Sequence, residues 1–155
     1  MQRKCRLQAR TPSVRAGWIL VVGVISLATG CAARWDLNYD YGVERAKRVN
    51  MPLLLYFKDW SSPEHRNMVV TVFENSTVAK ELNQSVNIEL LYNWGPPAKR
   101  YGTTNTPGVF VFCRPDGTEI DRLVVGKETI TPQRFAEWLR DCRLKLRGTA
   151  TQPSG

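Results

Sequence analysis

Two short, uninterrupted apolar segments constrain the fold of this 155-residue chain more than any other feature. They are Leu53-Leu54-Leu55-Tyr56-Phe57 and Val109-Phe110-Val111-Phe112-Cys113. Neither segment has a polar face to turn toward water, which is typical of a strand that is buried on both sides. A sheet covered on both faces needs helices above and below it, so the two segments predict an α/β architecture.

The segments around these strands give the order of the elements. Helical spacing of apolar residues predicts helices over residues 39–50 and 63–73 and a helical turn over 78–82. Alternation predicts a strand over residues 86–92, and 93–97 is a loop followed by at most one helical turn over 98–101. The turn Arg114-Pro115-Asp116-Gly117 predicts a hairpin to a strand over 118–125, and Thr131-Pro132 begins a last helix. The result is a central mixed sheet, a βαβ unit plus a C-terminal ββα unit, with helices on both faces.

The N-terminus has the layout of a secretory signal peptide. Five basic residues and no acidic one fall within the first fifteen positions, and an apolar stretch follows over residues 16–28. That stretch of about 13 residues is short for a membrane-spanning helix, which needs about 20. The small residues Ala28-Thr29-Gly30 then lead directly to Cys31.

The segment Leu27-Ala28-Thr29-Gly30-Cys31 resembles the lipobox of bacterial lipoprotein signals, although Ala28 stands where a larger aliphatic residue is usual. The resemblance implies cleavage before Cys31 and attachment of a diacylglyceryl group to its thiol. The protein would then be held to the membrane by the lipid on Cys31, facing the periplasm or the cell exterior. A conventionally cleaved signal and an uncleaved N-terminal anchor are the alternatives.

The charge of the chain is concentrated in this leader. Without residues 1–30 the formal net charge falls from +8 to +3, with 17 basic and 14 acidic residues remaining. We therefore expect no nucleic-acid partner, because such binding depends on a strongly basic surface. An apolar content of 43% excludes a disordered chain. We predict a signal peptide over 1–30, a single domain over 31–146 and a disordered tail over 147–155.

The domain resembles the thioredoxin superfamily across about residues 35–145. In that superfamily the first long strand ends in Trp, and a Cys-x-Pro-Cys motif opens the next helix; here the sequence reads Trp60-Ser61-Ser62-Pro63-Glu64. Thr106-Pro107 before the second apolar strand matches the family's cis proline, which makes Pro107 a cis candidate. The resemblance implies a thioredoxin-like fold. It also implies a peptide-binding groove formed by the degenerate motif Trp60-Ser61-Ser62-Pro63-Glu64 and by Thr106-Pro107.

The departure from the family pattern bears directly on activity. Ser61 stands where the family has its nucleophilic cysteine, and Glu64 stands where it has the resolving one. Thiol–disulfide exchange requires a thiolate and a second sulfur, so dithiol chemistry at this motif is excluded. Ser61 and Glu64 have the spacing of a helix capping box, in which each side chain bonds the other's amide. A catalytic group of Ser61, Glu64 and His65 is the functional alternative.

Two further cysteines, Cys113 and Cys142, fall in the predicted domain, one on a strand and one on the buried face of the last helix. If both face the same layer, a disulfide can close the loop between them in an oxidising compartment. Two buried free thiols are the equal alternative. No cluster has metal-ligand spacing and no phosphate-binding loop is present, so we expect no metal and no cofactor.

Three functional hypotheses follow. The first is a redox-inactive, thioredoxin-like envelope lipoprotein that binds or scaffolds envelope proteins or peptides in the groove. The second is a redox accessory enzyme that uses Cys113 and Cys142 as a non-standard pair. The third is a lipoprotein whose domain is purely structural. Insulin reduction separates the second hypothesis from the others, because only an exchange enzyme turns insulin over.

Overall fold

Residues 33–125 and 130–149 are described by the computed structural model of the protein. In chain order the elements are β1 (Trp35–Asp36), α1 (Tyr39–Val49), β2 (Leu53–Lys58), α2 (Pro63–Asn67), a π-helix (Met68–Phe73), α3 (Ser76–Leu82), β3 (Val86–Leu91), α4 (Gly95–Arg100), β4 (Val109–Cys113), β5 (Glu119–Val124) and α5 (Pro132–Thr149). None of the helices in these two ranges is both long and apolar enough to span a bilayer.

The strands form a single five-stranded mixed sheet in the order β1-β3-β2-β4-β5. The first three strands along the chain are mutually parallel, and β4 and β5 are antiparallel to their neighbours. The apolar segments β2 and β4 pair with each other at the centre, Leu55 opposite Val111. Every residue of these two strands is buried, the apolar segments as predicted and, in addition, Lys58 at the end of β2.

Alternation along the central strands divides the core into two layers. Leu54, Tyr56, Phe110 and Phe112 point toward the π-helix, α3 and α5. The intervening residues of β2 and β4 point toward α1 and α4 on the other face. A π-helix brings residues four and five positions apart to one side, which is how Met68, Val72 and Phe73 all reach the first layer. The predicted α/β sheet between two helical layers is confirmed.

Several boundaries differ from the sequence prediction. The two-residue edge strand β1 was not predicted, and the helix predicted over 63–73 is divided into α2 and the π-helix. The single turn expected over 98–101 belongs to α4, which begins earlier because Gly95 adopts a positive φ of 81° and Pro96 and Pro97 fit a first helical turn. Helix α5 continues to Thr149, beyond the predicted domain end at 146. Cys31, the leader and residues 150–155 lie outside the described residues.

Candidate functional site

The N-cap of helix α2 lies one residue later than the sequence indicated. Ser62 is its N-cap, because the Ser62 Oγ accepts a hydrogen bond from the His65 amide at 3.0 Å. Proline has no amide hydrogen and a φ suited to the first helical position, so Pro63 makes the residue before it the cap. Ser61 instead donates from its Oγ and its amide to Asp59 Oδ1, at 2.7 and 2.9 Å. The predicted capping box of Ser61 with Glu64 is therefore wrong.

The start of α2 and the loop before β4 enclose a pocket of about 310 Å³, which we call the Pro107 pocket. Its lining residues are Tyr56, Ser62, Glu64, His65, Met68, Thr106, Pro107, Gly108, Val124 and Val125. The structure thus brings together four residues predicted for the groove, Ser62, Glu64, Thr106 and Pro107. Of the other three, Ser61 and Pro63 are exposed beside the pocket, and Trp60 lines a different one.

The loop before β4 is held by a glycine rather than by a cis proline. The Thr106–Pro107 peptide bond is trans, so the predicted cis bond is wrong. Gly108 makes the turn with a φ of 75°, and its amide donates to the Phe57 carbonyl at 2.8 Å. A Cβ at position 108 would lie 2.7 Å from the Val125 carbonyl oxygen. The Thr106 amide donates to the Thr103 carbonyl at 3.0 Å, which fixes the other side of the turn.

His65 is the third residue of α2. It is buried in the wall between the Pro107 pocket and a second pocket, the one that Trp60 lines. Its Nδ1 is 3.2 Å from the Tyr56 Oη, and its ring meets Trp60 edge-on at 5.6 Å between centroids. Burial, followed by the positive charge of Lys58, lowers the pKa of His65. In the described structure the hydrogen bonds of Ser61 and His65 thus run to Asp59 and Tyr56, so the considered catalytic group with Glu64 is not assembled.

The buried imidazole makes the stability of the fold pH-dependent near neutrality. Because the folded pKa lies below the ordinary value of about 6.5, the unfolded chain takes up a proton first as the pH falls. The contribution of neutral His65 to stability is therefore fully present above the unfolded pKa of about 6.5, and it is lost as the pH drops toward the folded pKa. We expect the free energy of unfolding in urea to fall between about pH 7.5 and 5.5. His65→Gln removes the chain's one histidine, so an unchanged slope in that variant would contradict this assignment.

A second pocket, of about 610 Å³, lies on the other side of His65, and we call it the Trp60 pocket. Its lining residues are Ala33, Trp35, Lys58, Trp60, His65, Val69, Phe73, Glu74, Ser76, Ala79 and Glu89. Lys58 forms an ion pair with Glu89, and its Nζ lies 3.2 Å from the centroid of the Trp60 ring. Burial lowers the pKa of Lys58, while the hydrogen bond and charge of Glu89 act in the opposite direction.

The Lys58–Glu89 pair was missed in the sequence, although a signal for it exists. Lys58 follows Tyr56 by two positions, so the period of a strand places it on the same inward face. Tyr56 is also the register partner of Glu89 on β3, which brings the two charges to one face of adjacent strands. Opposite charges that strand register brings to the same face of two paired strands therefore indicate an ion pair, and the buried stripe of β2 indicates that it is shielded from water.

The two cysteines lie on opposite faces of the sheet and are free. Cys113 shares the phase of Val109 and Val111 toward α1 and α4, whereas α5 places Cys142 on the Phe112 side. The condition for a disulfide, that both face one layer, is not met because the sheet itself separates them, and of the two alternatives the structure has the buried free thiols. Burial raises the pKa of each thiol to about 12, so both are protonated at neutral pH rather than reactive thiolates. The described structure therefore contains no Cys113–Cys142 pair.

Comparison with solved structures identifies the architecture. The solution structure of a thioredoxin from Thermus thermophilus superposes with a TM-score of 0.55 at 24% sequence identity, covering 73% of this chain and 86% of that one. A DsbH oxidoreductase gives a TM-score of 0.53 at 18% sequence identity, covering 74% of this chain and 84% of that one. A putative disulphide-isomerase from Bacteroides thetaiotaomicron gives a TM-score of 0.52 at 22% sequence identity, covering 79% of this chain and 95% of that one. No protein-family model and no curated protein matches the sequence. The protein has a thioredoxin-like fold.

Proposed function

We propose that this domain binds extended polypeptide segments in the Pro107 pocket and carries out no dithiol chemistry. The observation that supports this is the composition of the pocket where α2 begins. Ser62 and His65 occupy the N-cap and third positions of the helix, and no lining residue in the described part of the chain is a cysteine. Exchange requires a thiolate at this point, whereas binding requires only the pocket.

The lining of the pocket indicates which ligand it favours. Met68, Val124 and Val125 give it an apolar floor and rim, and the exposed Glu64 supplies a carboxylate at its edge. His65 is neutral at pH 7, so Glu64 sets the sign of the local charge. The Thr106 amide already donates to Thr103, so affinity comes from side chains more than from backbone pairing at Thr106. We infer a ligand with an apolar side chain beside a lysine or arginine.

The test compares two apolar-to-arginine substitutions at similarly exposed positions. Val124, 52% exposed, lies at the rim of the Pro107 pocket, and Leu144, 61% exposed, lies on α5 away from it. The probe is a fluorescent insulin B chain with carbamidomethylated cysteines, which is an extended chain without a free thiol. We expect Val124→Arg to weaken binding at least about tenfold, by obstructing the rim and neutralising Glu64. Leu144→Arg should bind as the wild type does.

Fluorescence anisotropy distinguishes the outcomes. Equal affinity in the two variants would place the ligand elsewhere, and a wild type that does not bind the probe would contradict peptide binding in this pocket. The wild type should also leave the rate of insulin reduction by dithiothreitol unchanged. Turnover by the wild type would overturn the redox-inactive part of the proposal.

The proposal includes attachment to the cell envelope through a lipid on Cys31. The basic start, the short apolar segment and Gly30-Cys31 support it, and the domain would then face the periplasm or the exterior. Mass spectrometry of membrane-extracted protein should find an N-terminal peptide that begins at Cys31 and carries the mass of a diacylglyceryl group. An unmodified Cys31 in that fraction would end this part of the proposal.

A further inference from the structure

Exposed apolar side chains lie just before α2 and on the π-helix. Trp60, 60% exposed, and Val69, 37% exposed, form the rim of the Trp60 pocket, and Val70, the next residue of the π-helix, is 65% exposed. Beneath this rim the ion pair of Lys58 with Glu89 is satisfied internally. The rim therefore presents an aromatic and aliphatic surface bordered by the exposed Glu74, and exposed apolar surface of this kind commonly marks an interface.

The start of the described chain lies in the same place. Ala33 is part of the wall of the Trp60 pocket and packs against the core cluster beneath it. Cys31 is only two residues earlier, so its Cα is within about 7 Å of the Cα of Ala33 even in a fully extended chain. A domain of this size has a radius of gyration of about 13 Å. A link this short therefore fixes which side of the domain is nearest to whatever Cys31 is attached to.

We propose that the rim formed by Trp60 and Val69 lies against the lipid surface that holds the Cys31 anchor. This rests on the lipidation proposed above and adds an orientation to it. Tryptophan is enriched where bilayer meets water, since its indole has an apolar body and a polar N–H. The Val69 side chain then enters the outer acyl region, and Glu74 and Ser76, the polar residues of the pocket lining beside it, remain at headgroup level. The Trp60 pocket then opens toward the bilayer.

The orientation is tested with nitroxide labels on the intact acylated protein in vesicles of phosphatidylethanolamine and phosphatidylglycerol. One variant carries Val69→Cys at the rim, and a second carries Val70→Cys, which is more exposed and perturbs packing less. The control is Tyr41→Cys on α1, an exposed position in the opposite layer. Cys113 and Cys142 are fully buried and do not react with the label in the folded protein.

At each labelled position, the collision rate of the nitroxide with oxygen, which concentrates in lipid, is compared with its collision rate with a water-soluble nickel chelate. We expect the oxygen-to-nickel ratio at positions 69 and 70 to be several-fold above that at position 41. Equal ratios in protein whose Cys31 mass confirms acylation would overturn the orientation and leave the anchor intact. Absence of the acyl mass would overturn the anchor, and the orientation with it, while the peptide-binding test at Val124 stays independent of both.

Discussion

The double variant Ser62→Cys/His65→Cys is expected to form a reversible disulfide and to accelerate insulin reduction by dithiothreitol at least about tenfold over the wild type. These positions are the N-cap and the third residue of α2, where free amides lower a thiol pKa. Side chains three residues apart on a first turn approach closely enough for a disulfide. The new pair would also face the Pro107 pocket, which Ser62 and His65 already line.

The matched control moves the same two substitutions back by one residue. Ser61→Cys/Glu64→Cys follows the motif as the sequence reads, but Ser61 precedes the helix and bonds Asp59. We expect it to stay near the wild-type rate, measured by insulin turbidity and by the mass change on disulfide formation. Turnover by this variant alone would mean that the helix cap does not set the position of the active site in this fold.

Removal of Glu89 is expected to destabilise the domain by about 3 kcal/mol, because it leaves a buried ammonium without a partner. Lys58 is 2% exposed and Glu89 is 13% exposed, so little solvent reaches the pair. Replacing both residues, as Lys58→Met/Glu89→Leu, removes the charge and fills the space with apolar atoms. We expect this double variant to recover to within about 1 kcal/mol of the wild type or to exceed it.

Guanidinium unfolding of the wild type, both single variants and the double variant gives the coupling energy of this pair. The control is the surface pair of Glu44 with Lys47. The Lys47 Nζ lies 3.3 Å from the Glu44 Oε1, and both side chains are well exposed. Replacing those two residues should change stability by less than about 0.5 kcal/mol. A loss below about 1 kcal/mol in Glu89→Leu would show that water or deprotonation relieves the buried charge.

The sequence was most informative where one physical effect dominates. Continuous burial required the unbroken apolar runs of β2 and β4, and a strong turn required Asp116-Gly117 between β4 and β5. The start of α5 followed from Thr131, whose Oγ1 accepts a hydrogen bond from the Arg134 amide at 3.3 Å. In each case the local signal and the tertiary structure agree, so short-range reasoning was sufficient.

The site was less predictable because its geometry depends on single-residue offsets. Ser61 and Ser62 are both good caps, and only the position of Pro63 as the first helical residue selects Ser62. Cys113 and Cys142 each looked buried, but which layer a strand residue enters depends on the phase of the whole sheet. A neighbouring residue decides the first case, whereas tertiary pairing, which no short window of sequence contains, decides the second.

The short edge strand β1 also determines how the domain responds to a pulling force on the segment before it. It contributes two residues to the sheet, and it is the element through which the described chain starts. Trp35 holds it by packing 4.9 Å from the Phe73 ring, and Asp36 holds it by pairing with Arg45 at 2.8 Å. A pull on the preceding segment therefore peels an outer strand and leaves the four remaining strands joined. We expect β1 to separate from β3 under tension before the other four strands come apart.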